Sequence, residues 1–328
     1  MPRIGMNPGR GKTSDFQPAR VTAAILTFLP NDVGYFANRF DVMRVCIESL
    51  LKNTSAPYDL MVFDNGSQAK VVDYLRSLRD NGDIDFLILS EKNVGKINAL
   101  HMMFHSAPGD VIAYCDDDVF FLPGWLERHL EVLDTYPDVG LVTGMYIKPH
   151  MKEGISATLR FAQSKDVKME KGHLVSREIE QHYIENMGRS WDTYKQEIAG
   201  LEDVRITYKA IQTFASAGHY QFVARKDRIL KALPDKWSVN LMGQMRDLDI
   251  AIDRLDLLRV CTTPATIRLL GNQINEKSAR MIREYGISVQ AAEPEKALAG
   301  WKVKLFRNPI IQKIAYFIYE RLFKIINA

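Results

Sequence analysis

From residue 21 to residue 116, short apolar runs alternate with segments of helical spacing, and few folds accept that rhythm. "VTAAILTFL" (21–29) reads as a buried strand. "FDVMRVCIESLLKNT" (40–54) reads as a helix with Val42, Val45, Cys46, Ser49 and Leu50 on one face. "DLMVFD" (59–64), "DFLILS" (85–90) and "DVIAYCD" (110–116) read as further strands. "AKVVDYLRSLRDNG" and "KINALHMMFHSA" read as the helices between them. Such alternation predicts an α/β fold with a parallel sheet covered on both faces. Ligands of such sheets sit at the carboxyl ends of the strands.

The fourth strand ends in three carboxylates, Asp116, Asp117 and Asp118, between apolar neighbours. Like charges so close repel, and a positive partner is expected. On a pleated strand end, Asp116 and Asp118 share one side, ~6.5–7 Å apart at Cα, and Asp117 takes the other. Two carboxylates on one side suit Mg²⁺ or Mn²⁺ carried in with a diphosphate. An ordinary acidic turn after a strand accounts for the run equally well.

"PGWLERHLEVLDTYPDVGLVTG" (123–144) continues as helix then strand, and "QTFASAGHYQFVARKDRILKAL" (212–233) as strand then helix. "MRDLDIAIDRLDLL" (245–258) reads as a helix with acids near its start. Residues 150–210 are polar and irregular, with helical pieces such as "SREIEQHYIENM", and no repeats are present. Residues 1–19, rich in Gly, Pro and charge, read as a disordered arm. Their "GRGKTS" lacks the spacing and the preceding strand of a phosphate loop.

The net charge of +3 is unevenly spread. Residues 1–20 carry +3, residues 301–328 carry +5, and the body between them carries −5. Basic ends on an acidic body suit an anionic surface and exclude a nucleic-acid reader, which concentrates Lys and Arg on the folded domain. Three cysteines, Cys46, Cys115 and Cys261, lie among apolar residues and read as buried free thiols in a reducing cytoplasm. Neither a leader peptide nor a spanning segment of ~18 apolar residues is expected.

Six segments, in order from about residue 21 to 272, resemble family 2 glycosyltransferases of the GT-A fold. They are "AAILTF", "CIESLLKNTSAPYDLMVFDNGS" (similar to the family's "VDDGS" strand end), "SEKNVGKINALH" ("NxGKxxALN"), "CDDDVFFLPGWLERHLEVLDTYPDVGLVTG", "SAGHYQFVARKD" and "MRDLDIAIDRL" ("EDxD"). The resemblance implies a GT-A type, Rossmann-like, mostly parallel sheet flanked by helices, with a C-terminal amphipathic helix. It implies a glycosyltransferase domain over 20–275, with a nucleotide-binding half (20–122) and an acceptor half (123–275), then a helical tail over 276–328. The implied activity is inverting, hexosyl-type transfer from a UDP- or GDP-linked sugar to a carbohydrate or lipid-linked acceptor, with Mn²⁺ or Mg²⁺, in polysaccharide or glycolipid assembly.

The resemblance also implies roles. Asp64 meets the nucleotide base, with Thr27 nearby. Asp116 and Asp117 face the donor, Asp118 holds the metal and Lys96 lies beside the nucleotide. Asp247 is the general base. His219 is a candidate for touching substrate or metal, Trp237 for stacking on a sugar, and Asp249 for a place beside the base. Each has a plainer reading. Asp64 caps a turn, Lys96 is solvated, Asp247 and Asp249 are first-turn helix acids, and His219 and Trp237 pack in the core. Two departures from the family pattern stand out: Arg246 replaces the Glu before the base, and Leu269 replaces a metal-binding His.

After Asn308 and Pro309, Ile311, Ile314, Ile318, Leu322 and Ile325 recur at helical steps. A basic amphipathic helix over 302–327 suits either an anionic membrane interface or packing on protein. The first option places the enzyme in the cytoplasm, peripheral on the inner face of the cell membrane. Two competing functions are a nucleotidyltransferase and an inactive, membrane-peripheral sugar-nucleotide scaffold. Against the former, "TFLPNDVGYF" has no Lys or Arg to hold a triphosphate.

Overall fold

The structure, a computed structural model, describes residues 5–233, 241 and 245–292. Strands β1 (Val21–Thr27), β2 (Tyr58–Asn65), β3 (Phe86–Ser90) and β4 (Val111–Asp116) alternate with helices α1 (Arg39–Asn53), α2 (Ala69–Asp80) and α3 (Lys96–Ser106). There follow β5 (Val119–Phe121), α4 (Trp125–Thr135), β6 (Val139–Thr143), α5 (Ser156–Ala162), β7 (Lys168–Gly172), α6 (Arg177–Asn186) and α7 (Trp191–Glu197). The chain continues through β8 (Asp203–Tyr208), β9 (Ile211–Ala215), β10 (Gln221–Arg225), α8 (Lys226–Ala232), α9 (Met245–Arg254), β11 (Leu258–Thr262), β12 (Ile267–Leu269) and α10 (Glu276–Glu284).

The main sheet has the order β3-β2-β1-β4-β10-β6-β11-β9-β8-β7, and β5 pairs with β12 in a small second sheet. Strands β3, β2, β1, β4, β6, β11 and β8 run one way, and β10, β9 and β7 run the other. The expected mostly parallel α/β sheet is present. The apolar strands are nearly continuous in sequence because both faces are covered. From β1, Val21, Ala23 and Ile25 pack under α1 residues Met43, Cys46, Ile47 and Leu50. Ala24 and Leu26 face the other way, onto Ile97, Leu100, Met103 and Phe104 of α3. Val42 and Val45 of α1 meet Phe120 and α10. All five residues expected on the buried face of α1 are fully buried. Each large apolar side chain so placed stabilises the fold by about 1.5–3 kcal/mol.

Three local expectations need correction. Residues 212–233 hold two strands, β9 and β10, before α8, because the chain leaves one side of the sheet at Ser216 and returns beside β4. The helix from 245 ends at Arg254, where Asp256 takes a left-handed φ of 59° and β11 begins at Leu258. In 150–210, three helices and two strands replace the irregular reading. The edge strand β7, "KMEKG", has no buried residue and so lacks an apolar signature. Cys46, Cys115 and Cys261 are buried free thiols, as expected. No helix among the described residues is long and apolar enough to cross a membrane. The basic helix expected over 302–327 lies outside the described residues.

Candidate active site

Strand register assembles the site. Thr27 pairs with Asp64 across β1 and β2, and Leu26 pairs with Asp116 across β1 and β4. The carboxyl ends of the three strands thus bring Thr27, Asp64 and Asp116 to one rim.

The strand proper ends at Asp116, and Asp117 and Asp118 form a turn into β5. The expected split holds, with a different cause. Asp116 and Asp118 line one cavity, whereas Asp117 is turned inward and 4 % exposed. The turn, not strand pleating, produces this. Backbone bonds pin it on both sides, from Asp116 N–H to the Tyr220 carbonyl (2.8 Å) and from Leu270 N–H to the Asp118 carbonyl (2.8 Å).

Two cations of the chain itself meet the acids. Arg39, at the first position of α1, donates to Asp117, to Asp118 Oδ2 (3.1 Å) and to the Gly271 carbonyl (2.9 Å). Lys96, at the start of α3, donates to both oxygens of Asp116 (2.6 and 2.7 Å), and the Tyr114 hydroxyl adds a bond of 2.5 Å. Gly95 makes this reach feasible, because its φ of 84° sets the entry angle of α3. Lys96 is therefore half-enclosed in an ion pair and not solvated. The Thr27 hydroxyl donates to Asp117 Oδ2 at 2.6 Å, so Thr27 holds an acid in place. Burial pushes the Asp118 carboxyl up to about 6, although Arg39 opposes the shift. Burial also raises Asp117, against the pull of Arg39 and Thr27. For the Arg39 guanidinium, the two acids overcome desolvation and raise its already high value.

Asp64 is 1 % exposed. Its Oδ2 accepts from Ser67 N–H at 3.1 Å, while its Oδ1 is buried with no hydrogen-bond partner among the described residues. Burial raises this carboxyl too. A buried acceptor left open needs a donor from elsewhere.

The cavity, of about 210 Å³, is lined by Asp116, Asp118, His150, Tyr183, His219 and Leu269, among others. Leu269 therefore stands on the same wall as the acids, in the place of the family's His. A neighbouring cavity of about 250 Å³ shares His150 and His219 and adds Arg246 and Asp249. His219 Nδ1 lies 3.0 Å from Asp249 Oδ2, and Arg259 pairs with the same oxygen at 3.2 Å. Asp247 is exposed on the first turn of α9 and lines neither cavity. Arg246 is exposed, 3.7 Å from Glu153. Trp237 lies outside the described residues. A larger cavity, about 530 Å³, lies against α6 and α10 and has none of the three acids in its wall. No cluster of three or more His, Cys, Asp or Glu able to hold a metal occurs among the described residues.

Sequence reasoning missed Arg39 and Arg259. A positive charge at the first position of a helix opposes the helix dipole, and that anomaly could have flagged Arg39. Arg259 sits inside the apolar run "LLRVCTT", 1 % exposed. A charge so placed needs a partner, which could have pointed to Asp249.

Residues 36–187 match the model of glycosyl transferase family 2, the family that the motifs resemble. An uncharacterized glycosyltransferase of Bacillus subtilis, YwdF, is 31% identical over 98 residues, 30% of this chain and 35% of the relative. A glucosyl-dolichyl phosphate glucuronosyltransferase of Haloferax volcanii is 28% identical over 115 residues, 34% of this chain and 36% of the relative. The chain thus spans about a third of the length of these curated relatives. Among solved structures, GalNAc-T7 with UDP, GalNAc and Mn²⁺ aligns over 78% of this chain and 45% of its own, at 11% identity and a TM-score of 0.47.

Proposed function

We propose that the chain is a glycosyltransferase that moves a sugar from a nucleotide-diphosphate donor to an acceptor hydroxyl, with inversion. One observation carries the reading. The family 2 match over 36–187 contains Asp64, Lys96 and Asp116 to Asp118, and Asp64 and the acidic turn share one rim of the sheet. In this reading the open Oδ1 of Asp64 accepts an N–H of the nucleotide base. Asp116 and Lys96 meet the ribose or diphosphate. Asp117, held by Thr27 and Arg39, fixes the turn that presents Asp118.

The residues present fit a divalent cation, Mn²⁺ or Mg²⁺. Asp116 and Asp118 offer hard oxygens to the cavity, and Asp118 keeps 26% of its side chain open. Such ions are held by one or two carboxylates completed by substrate phosphates and water. When bound, the ion neutralises the leaving diphosphate. The chain's residues orient the donor, exclude water from one side and take the acceptor's proton.

Incubation with Mn²⁺ and a panel of UDP- and GDP-sugars tests the reading. Release of nucleoside diphosphate is expected, reduced about 10²-fold or more in Asp118→Ala. Release of sugar 1-phosphate in its place would replace the reading by nucleotidyl transfer, since attack at the nucleotide phosphorus of these donors expels that group. An absence of release from every donor would end it in favour of a scaffold.

The acceptor is proposed to be carbohydrate or lipid-linked, in polysaccharide or glycolipid assembly. The name of the Haloferax relative, which pairs a dolichyl phosphate with sugar transfer, supports the lipid-linked option. The basic segment 302–327 would then hold the enzyme on an anionic membrane face. The full chain is expected to float with phosphatidylserine liposomes and a chain ending at residue 300 to remain below. Equal flotation removes the membrane role.

A further inference from the structure

We infer that the acceptor carries a phosphate or carboxylate group near its reacting hydroxyl, and that Arg246, helped by Lys152, selects for that charge; the inference rests on the transferase reading above. The motif that the start of α9 resembles has Glu where this chain has Arg246. Arg246 and Asp249, three residues apart, share one face of α9 and line the cavity of about 250 Å³. Asp247, which the resemblance assigns as the base, follows Arg246 directly on the adjoining, exposed face. The cavity shares His150, Tyr183, Met187 and His219 with the one lined by Asp116 and Asp118. An acceptor held there abuts the space in which a donor's sugar would lie.

The family's Glu would give this cavity the opposite charge. Its ionised side chains are Lys152, Arg189, Arg246, Glu153, Glu197 and Asp249. Arg189 bonds Glu197, and Arg259 pairs with Asp249 at 3.2 Å from behind. Lys152 and Arg246 then stand against Glu153 alone, an excess of one positive charge. With Glu at position 246, Lys152 would stand against two acids, an excess of one negative charge. Burial holds the His150 imidazole down at about 3, so it adds no charge to this balance. Arg246 lies 3.7 Å from Glu153, too far for a hydrogen bond, and 77% of its side chain is open. Its donors are therefore free for a ligand. Lys152 has no ion pair among the described residues.

The loop that carries Lys152 and Glu153 is fixed against α9. Arg259, 1% exposed, donates to the carbonyls of Glu153 (2.9 Å) and Gly154 (2.7 Å). Gly154, with a φ of 64°, passes so close to α9 that a Cβ would lie 2.7 Å from the Asp249 carbonyl oxygen. Lys152 and Arg246 thus face one cavity from two anchored elements. A guanidinium forks onto a phosphate or carboxylate through two parallel bonds, and an ammonium adds a point charge.

The test fills the donor site of the full chain with Mn²⁺ and UDP or GDP, then titrates in acceptor probes by calorimetry. The probes are glycerol 3-phosphate, glucose 6-phosphate and glucuronate, with glycerol and glucose as neutral counterparts. At least one anion is expected to bind about tenfold or more tightly than its neutral counterpart. Preference for the two phosphates or for the carboxylate identifies the group. Arg246→Glu, which restores the family's residue, should abolish the preference while nucleotide affinity stays within about threefold. Arg246→Lys should keep part of the preference, and Lys152→Glu should reduce it. Equal affinity for the anions and their neutral counterparts overturns this inference alone, and so does a preference that Arg246→Glu leaves intact. A wild-type chain that binds neither nucleotide overturns the transferase reading and this inference with it.

Discussion

Arg39→Met is expected to destabilise the fold by about 3–5 kcal/mol, as removal of one partner of a buried ion pair does. Arg39 is 7% exposed and bonds two acids, Asp117 and Asp118, and the Gly271 carbonyl. The variant leaves Asp117 buried with the Thr27 hydroxyl as its remaining side-chain hydrogen-bond donor among the described residues. It also unties the loop at Gly271 from α1. Methionine fills much of the space, so the loss reflects charge more than volume. Arg39→Lys keeps the charge but lacks the fork that spans both acids, and should fall between the two. Adding Asp117→Asn to Arg39→Met should recover part of the loss, because the stranded charge is gone and the sites are in contact. Urea denaturation at neutral pH measures all four chains. A loss below about 1 kcal/mol in Arg39→Met would mean that the acidic turn is compensated by something other than this guanidinium.

The sheet and its rim were legible in the sequence because burial on two faces writes long apolar runs. β1, β2, β4 and α1 fall close to where the periodicity puts them. The acidic run was legible as an anomaly, three like charges in an apolar frame. What answers it was not. Arg39 and Lys96 lie 79 and 20 residues from the acids they meet, and one sequence carries no pairing information at those separations. Strand direction was hidden for the same reason. β10 looks like its parallel neighbours, yet it enters the sheet antiparallel beside β4. The Asp249–His219–Arg259 group was half visible. Asp249 and His219 were candidates on chemistry, but "DLLRVCTT" reads as the end of a helix until Asp256 is seen in the left-handed region. In 150–210 the strands are edge or half-buried, so their sequence lacks the alternation that marks a two-faced core strand.

The charges at the turn make a second prediction of large effect. Asp116, Asp117 and Asp118 face Arg39 and Lys96, which leaves one negative charge in excess. That excess is small for a dication that must shed water, so Mn²⁺ alone should bind weakly. A nucleoside diphosphate alone would bring further negative charge to the acids and should also bind weakly. Together the two neutralise each other at the cavity, with Asp118 holding the ion. Binding free energies are reciprocal, so Mn²⁺ should tighten the nucleotide by the same factor as the nucleotide tightens Mn²⁺.

Calorimetric titration of UDP and GDP into the full chain, with and without Mn²⁺, measures this factor. A tightening of about 10²-fold for one of the two nucleotides is expected, and its disappearance in Asp118→Ala. Affinity that is the same with and without Mn²⁺ and in Asp118→Ala, or no saturable binding of either nucleotide, would contradict the acidic turn as a sugar-nucleotide site.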